Sequence, residues 1–303
     1  MKQKLLLFLL CCICTVGAAA QGIITRQKPT TQQQTQRKPK TTTQSKPKPR
    51  SNTPTQTRPQ SQPAQGSSSS QGGNKTFTAN GVSFTMIYVQ GGTFTMGATS
   101  EQGSDVESDE KPAHSVTLSS YYIGETEVTQ ALWQAVMGSN PSNFTGDSRL
   151  PVEQVSWEDC QTFISRLNSL TGQHFRLPTE AQWEFAARGG NRSRGYKYSG
   201  SNDIGSVAWY TDNSGSKTHP VKTKSPNELG IYDMSGNVWE WCQDWYGDYS
   251  SSSLTNPTGA SSGSTRVYRG GSWRYDAWLC RSSNRDSNAP SLRIIGLGLR
   301  LAL

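Results

Sequence analysis

The amino-acid sequence predicts an α+β domain in which short strands and a few helices are joined by long, ordered loops. Three helical stretches carry N-capping residues, short runs of alternating apolar and polar residues precede them, and loops rich in Gly, Ser and Asn dominate after Arg188. Nine tryptophans are available as buried anchors for loops that have little regular structure of their own.

The first part of the domain is predicted to contain four short strands. Phe84–Tyr88 and Thr93–Met96 alternate on either side of Gly91-Gly92, and this pattern predicts a hairpin. Ser115–Leu118 and Tyr121–Ile123 are predicted as further strands.

Three helices follow from capping signals and helical spacing. Thr129 is predicted to cap Gln130–Met137, and Ser156 to cap Trp157–Leu170. Thr179–Gln182 has the form of a capping box that opens a helix through Ala187. In the second helix, apolar residues recur on one face at Trp157, Cys160, Phe163, Ile164 and Leu167.

Residues 1–20 have the features of a secretory signal peptide. Lys2 and Lys4 precede a short apolar run, and Ala18–Ala20 form a small-residue cleavage site. The apolar run is shorter than the roughly 20 residues that a membrane-spanning helix needs. We therefore expect a secreted, periplasmic or cell-envelope protein. Lipidation is an alternative, but Cys11 follows Leu10 and Cys14 follows Ile13 instead of small residues.

Residues 21–75 are predicted to be a disordered linker of Pro, Gln, Thr and Ser with ten basic residues and no acidic one. The excess positive charge behind the formal +8 therefore lies in residues 1–75, because residues 76–303 hold 18 Lys and Arg against 22 Asp and Glu. We interpret the linker as a solvated spacer. Contact with an anionic surface is the alternative, and no specific nucleic-acid binding is expected.

The domain retains three cysteines: Cys160, Cys242 and Cys280. An odd number in an oxidising compartment predicts one disulfide and one buried thiol. These three show no Cys-x-x-Cys spacing that would indicate a metal site.

Several motifs follow one another along the domain. They are Gly91–Gly97, Glu127-Val128-Thr129, Pro151–Trp157, Arg176–Glu184, Pro226–Trp241, Arg269–Trp273 and Gly298-Leu299-Arg300. Together they resemble the sulfatase-modifying-factor family, whose founder is the formylglycine-generating enzyme, and they cover nearly all of residues 76–303. The resemblance implies a C-type-lectin-like α+β fold with largely irregular loops, often stabilised by calcium.

The resemblance also locates a candidate cleft formed by Ser272, Trp273, Tyr275 and Cys280. The formylglycine-generating enzyme holds copper with two cysteines that lie three and eight residues after the serine of its Gly-Gly-Ser motif. Counted from Ser272, these positions are Tyr275 and Cys280. Because soft Cu(I) favours thiolate ligands, the broken pair argues against copper and against formylglycine generation.

A Cys242–Cys280 disulfide is expected, since the resemblance places Cys242 close to the Gly-Gly-Ser strand. Closing the loop of 37 residues between these two cysteines would stabilise the domain by about 3–4 kcal/mol in chain-entropy models. A free, reactive Cys280 is the alternative, and Cys160 is expected to be a buried thiol.

Calcium is the expected structural cofactor. In the family, the segment that matches Gly236, Asn237, Val238 and Glu240 wraps a calcium ion through backbone carbonyls and the glutamate, which suits an ion that prefers oxygen ligands. The alternative for Glu240 is a charge held by Arg or by backbone N–H groups.

Two functional classes remain: an envelope oxidase related to sulfatase maturation, and a non-catalytic module that binds protein, peptide or glycan or acts in assembly. A third branch of the family, which uses non-haem iron, needs a His-rich domain that this chain with three histidines lacks. The last 35 residues favour the binding module. In this segment, residues that we interpret as a structural frame alternate with residues of assorted type. Some relatives have C-terminal segments of this kind, diversified to vary the choice of ligand. The frame residues are Gly270, Gly271, Ser272, Trp273, Cys280, Arg281, Arg285, Pro290, Arg293 and Gly296.

Overall fold

The computed structural model describes residues 72–303. The predicted signal peptide and nearly all of the predicted linker lie outside these residues. Regular structure begins at Lys75. Within the described part of the chain, no helix is both long and apolar enough to cross a membrane.

A first sheet is antiparallel with the order β1-β2-β5. Its strands are β1 (Lys75–Ala79), β2 (Val82–Val89) and β5 (Tyr121–Gly124). Asn80 and Gly81 connect β1 to β2 with φ of 46° and 84°. Two consecutive positive φ values define the type I′ hairpin turn, which an Asn-Gly pair favours. The true hairpin of this region therefore lies one strand earlier than predicted.

The hairpin predicted between Phe84–Tyr88 and Thr93–Met96 is wrong. The second of these strands leaves for another sheet, of order β3-β4-β7. Its members are β3 (Gly92–Met96), β4 (His114–Leu118) and β7 (Leu254–Thr255). Gly91 marks the crossing, because a Cβ at this position would collide with the backbone oxygen of Leu118. Gly91 thus permits close backbone approach, a Cβ at Gly92 would collide with the Asn191 side chain, and the two glycines form no turn between paired strands.

The three predicted helices are present with their predicted caps. They are α1 (Gln130–Met137), α2 (Trp157–Thr171) and α3 (Glu180–Ala187), and the side chains of Thr129, Ser156 and Thr179 accept from backbone N–H groups of their first turns. Helix α2 ends at Gly172, which adopts the left-handed conformation. A fourth, one-turn helix that was not predicted, α4 (Ile204–Val207), follows Asp203.

A third sheet carries the C-terminal motifs and has the order β10-β6-β8-β9. Its strands are β6 (Trp239–Trp245), β8 (Arg266–Arg269), β9 (Arg285–Asn288) and β10 (Leu297–Leu299). Trp183, Trp239 and Trp241 are among the largest fully buried side chains of the domain. Tryptophans therefore anchor the sheet, as the composition predicted.

Buried ion pairs join this sheet to α3 and to the loop before β4. Alternating charges run from Glu101 through Arg188, Glu184, Arg269 and Glu180 to Arg285. Two further pairs, Arg281–Glu110 and Arg300–Glu240, are also buried. Removing one partner of such a pair is strongly destabilising, because it leaves the other charge buried and uncompensated.

Candidate functional site

The C-terminal segment alternates between a buried frame and outward-facing side chains. Eight of the ten predicted frame residues are buried, while Pro290 is half-buried and Arg293 is exposed. Arg281 is held by both oxygens of Glu110 at 2.5 and 2.7 Å, and Arg285 by Glu180 at 2.7 and 2.8 Å. The frame is thus anchored by residues more than 100 positions away in the sequence.

Five of the residues between the frame positions form what we call the C-terminal surface: Arg274, Tyr275, Asp276, Asp286 and Asn288. All five are exposed or half-buried. Ser282, Ser283 and Asn284, between Arg281 and Arg285, are instead buried with the frame. The Arg274 guanidinium lies 5.9 Å from the ring centre of Tyr275, and the hydroxyl of Tyr268 hydrogen-bonds to Asp286 and Asn288. An aromatic ring with charges of both signs on a rigid frame is typical of protein-binding surfaces.

Ser272 and Trp273 lie beneath this surface, and the backbone of Trp273 is hydrogen-bonded to two neighbouring loops. The Trp273 N–H donates to the carbonyl of Asn237 at 2.9 Å, and the Ser214 hydroxyl donates to the carbonyl of Trp273 at 2.8 Å. The ring of Phe144 meets the Trp273 indole edge-on at 5.3 Å between ring centres. Sequence reasoning missed Phe144, which belongs to no motif and lies 129 residues before Trp273.

Tyr275 and Cys280 are placed in different parts of the core. Tyr275 packs edge-on against Trp239 at 5.8 Å between ring centres, and its burial raises the pKa of its phenol. Cys280 packs instead with Tyr198 and Val207. In residues 72–303, no group of three or more His, Cys, Asp or Glu side chains is placed to hold a metal ion.

The thiol of Cys280 is inaccessible. Its side chain is fully buried, and a Cβ added at Gly271 would lie 2.5 Å from its sulfur. Burial, with a smaller contribution from the charge of Asp276, raises the pKa of this thiol to about 12. Cys280 is therefore protonated at neutral pH and lacks the thiolate character of a reactive or metal-binding cysteine.

The predicted Cys242–Cys280 disulfide is not formed: Cys160, Cys242 and Cys280 are all free and buried. The two sulfurs belong to separate apolar clusters, since Cys242 packs with Ile87, Val89 and their neighbours. Although the segments that contain Cys242 and Cys280 are close in the fold, the two cysteine side chains therefore do not meet.

Glu240 does not fit the predicted role of calcium ligand. Its carboxylate accepts hydrogen bonds from Arg300 at 2.7–3.1 Å and from the Trp183 indole at 2.6 Å. The backbone carbonyl of Asn237, another predicted calcium ligand, accepts the Trp273 N–H at 2.9 Å. The charge of Glu240 is thus already neutralised, which corresponds to the alternative stated from the sequence.

Chelation of calcium is accordingly expected to leave the stability of the domain unchanged. We expect the melting temperature of the purified chain in excess EGTA to agree within about 1 °C with that in millimolar CaCl₂, because RT ln(1 + [L]/Kd) is zero for a ligand that does not bind. Differential scanning calorimetry measures this. A rise of several degrees on adding calcium would show that oxygen ligands other than Glu240 hold the ion.

A cavity of about 190 Å³ lies on the other side of Glu127, the residue that accepts from the Asn237 side chain and from the Val238 N–H. Its lining includes Thr85, Met86 and Glu127, together with Glu125 and Lys222, whose side chains form an ion pair at 2.8 Å. None of the residues that the sequence nominated as cleft or metal ligands lines it. We therefore assign the candidate site to the C-terminal surface and the residues beneath it.

Residues 74–303 match the family model described as the sulfatase-modifying factor enzyme 1-like domain. The chain belongs to this family. The chaperone protein LppX of Paenibacillus barcinonensis is 35% identical over 257 residues, which cover 68% of this chain and 83% of LppX. The formylglycine-generating enzyme of Streptomyces coelicolor is 30% identical over 283 residues, which cover 71% and 88% of the two chains.

Among solved structures, Treponema denticola variable protein 1 is similar with a TM-score of 0.68 and 38% identity. The match covers 76% of this chain and 98% of that protein. The predicted α+β fold of the sulfatase-modifying-factor family is thus confirmed. Relatives named as an enzyme, a chaperone and a variable protein share it, so the fold by itself does not decide between catalysis and binding.

Proposed function

We propose that this protein is an exported, non-catalytic member of the sulfatase-modifying factor family that binds a protein, peptide or glycan of the cell envelope through its C-terminal surface. The proposal is carried by what occupies the two positions at which the formylglycine-generating enzyme has its copper-binding cysteines. One is Tyr275, packed on Trp239, and the other is Cys280, buried and protonated. A related chaperone and a related variable protein fit such a role.

The rigidity of the frame supports binding as the role of the outward-facing residues. Loops held in one conformation lose little entropy when they meet a partner, so their contacts are retained as affinity. The ion pairs of Arg281 and Arg285 supply this rigidity from beneath. The proposed location outside the cytoplasm rests on the signal features of residues 1–20.

The alternative function is oxidation of a sulfatase cysteine to formylglycine. It is favoured by the 30% identity to the Streptomyces coelicolor enzyme and by Ser272 in the Gly-Gly-Ser motif. It would require the single sulfur of Cys280 to hold copper, although a thiol with a pKa near 12 is a poor metal ligand at neutral pH.

Turnover distinguishes the two functions. When the purified chain is incubated with copper, oxygen, a thiol reductant and a cysteine-bearing sulfatase peptide, we expect no aldehyde product by mass spectrometry. The Streptomyces coelicolor enzyme, assayed beside it, provides the positive control. Copper-dependent conversion of the peptide by this chain would overturn the non-catalytic assignment.

Binding is tested with two defined probes, a displayed library of random peptides and a glycan array. We expect the wild-type chain to select ligands whose affinity falls at least tenfold in the double variant Arg274→Ala/Asp276→Ala, since a few central residues carry most of an interface's energy. The Asp276 side chain makes no capping hydrogen bond in the turn that it precedes, so its loss leaves the fold intact. Lys217→Ala, at an exposed position of another loop, is the matched control. Equal affinity in all three proteins would place the ligand elsewhere.

A further inference from the structure

The cavity of about 190 Å³ has the size of a small ligand pocket and shares no lining residue with the C-terminal surface. It lies between β2, the connection from β5 to α1 and the loop that contains Val221 and Lys222. An apolar cavity of about 150 Å³ is large enough to bind benzene. Ser83 and Lys222 are exposed and belong to the lining, so the cavity opens to solvent beside them.

The buried part of the lining is largely apolar. Met86, Val128, Leu132 and Leu301 line the cavity, and each of these residues is at most 3% exposed. Ligand pockets combine such an apolar wall with a small number of polar groups that fix the orientation of the ligand. An apolar group of the ligand therefore fits the inner part of the cavity.

The polar groups of the inner lining already have partners within the protein. Both oxygens of the Glu127 carboxyl accept hydrogen bonds, from the Val238 N–H at 3.0 Å and from the Asn237 side chain at 2.8 Å. The Thr126 hydroxyl donates to the Glu127 carbonyl at 2.8 Å, and Thr129 Oγ1 accepts the Leu132 N–H at 3.3 Å. A sugar, whose hydroxyls all need partners, therefore does not suit this space.

The rim of the cavity carries one charge of each sign. Lys222 Nζ and Glu125 Oε1 form an ion pair at 2.8 Å, and the two side chains are 42% and 23% exposed. Lys222 has a φ of 64°, in a region that residues with side chains rarely adopt, and Asp233 Oδ2 accepts its N–H at 2.9 Å. The fold thus keeps a cationic side chain where glycine would be less strained, and such strain is frequent at ligand sites.

We propose that this cavity binds a free α-amino acid with an apolar side chain. The side chain fills the apolar part, the ammonium group pairs with the Glu125 carboxylate, and the carboxylate pairs with the Lys222 ammonium. An exposed ion pair contributes only about 0–1 kcal/mol, so the Glu125–Lys222 pair opens at little cost. Each charge of the rim exchanges one partner of opposite sign for another, and none is left uncompensated.

The paired charges of the rim distinguish an amino acid from other ligands. A lone cation would separate Glu125 from Lys222 and leave the ammonium unpaired, and a lone anion would do the same to the Glu125 carboxylate. A residue inside a peptide chain carries neither charge on its backbone. Charge complementarity therefore favours a zwitterion, whose two charged groups are attached to the same carbon atom. The site is separate from the C-terminal surface, so this inference does not depend on the proposed function.

The position of the ligand is tested by NMR of the purified chain labelled with [methyl-¹³C]methionine. L-leucine and L-phenylalanine serve as probes, and Met86→Leu identifies the signal of Met86. We expect a saturable shift of the Met86 methyl signal with both probes. Met96 and Met234 pack in another apolar cluster and do not line the cavity, so their signals are expected to stay unchanged.

The charges of the rim are tested by Glu125→Gln and Lys222→Gln, which remove one partner of the zwitterion each. We expect each variant to raise the Kd for L-leucine at least tenfold, because hydrogen bonds to charged groups are among the stronger ones. Arg293→Gln is the matched control: it breaks an ion pair with Asp159 at a similar exposure, does not line the cavity and is expected to bind L-leucine as tightly as the wild-type chain.

Three results would overturn the proposal. One is the absence of a saturable Met86 shift up to the solubility limit of both amino acids, which would make the cavity a hydration site. A second is equal binding of N-acetyl-leucine amide with no loss in either rim variant, which would assign the cavity to an apolar residue of a peptide. The third is an equal shift of Met86, Met96 and Met234, which would place the amino acid elsewhere. None of these results affects the binding of displayed peptides or glycans at the C-terminal surface, so the proposed function is tested separately.

Discussion

Replacing Glu184 by Gln is expected to lower the free energy of unfolding by about 3–5 kcal/mol, the usual cost of breaking a buried ion pair from one side. Glu184 is fully buried on α3 and is the centre of the alternating charges. One oxygen accepts the Gly97 N–H and the Arg188 Nε–H, both at 2.8 Å, and the other accepts from Arg269. The amide would leave Arg269 with a single buried carboxylate neighbour, Glu180, at 3.5 Å.

Urea denaturation of Glu184→Gln measures this loss. Asp248→Asn is the matched control, because it makes the same chemical change at an exposed position and is expected to alter stability by no more than about 0.5 kcal/mol. A loss below about 1 kcal/mol in Glu184→Gln would mean that water or relaxed side chains compensate Arg269, and that the frame is less rigid than proposed.

The network that Glu184 anchors illustrates what the sequence does not reveal. Arg269 and Glu184 are 85 positions apart, and Arg281 and Glu110 are 171 apart. Periodicity and capping patterns describe neighbours within one or two turns, so they located α1, α2 and α3 with their caps. Pairings between distant loops leave no such local signal, and the frame arginines were recognised only as members of a motif.

The incorrect predictions have the same cause: contacts between segments that are distant in the sequence leave no local signal. Gly91-Gly92 resembled a turn between paired strands, whereas Gly91 lets the backbone pass Leu118 and Gly92 leaves room for the Asn191 side chain. The cysteines were paired because their motifs are neighbours in the sheet, although side-chain direction decides bonding.

A second large effect is expected at the other end of the sheet, where Arg300 neutralises buried acids. Arg300 is fully buried and donates to Glu240 and to the carbonyls of Gly124 and Tyr232. Its charge also lowers the pKa of Glu127 and of Asp233, which burial raises. Arg300→Met would leave these acids without a buried cation, and we expect a loss of about 3–5 kcal/mol of unfolding free energy.

A second substitution separates the charge from the shape of Arg300. In Glu240→Gln/Arg300→Met the amide oxygen still accepts the Trp183 indole N–H, while one of the uncompensated charges is gone. We expect the double variant to recover about 1–3 kcal/mol relative to Arg300→Met alone, since buried pairs replaced on both sides often cost little. A double variant less stable than Arg300→Met would assign the role of Arg300 to its backbone contacts.

The loss in Arg300→Met is expected to grow with pH. Burial raises the pKa of Asp233 to about 6 in the folded chain, above the unfolded value of about 4. For an acid whose folded pKa is raised, stability is full below the unfolded pKa and declines as pH rises towards the folded one, because the folded state binds the extra proton. Without Arg300 the folded pKa rises further and the decline extends to higher pH. Urea denaturation of both proteins should therefore give a larger difference at pH 8 than at pH 5, and an equal difference at both would show that Asp233 does not interact with the Arg300 charge.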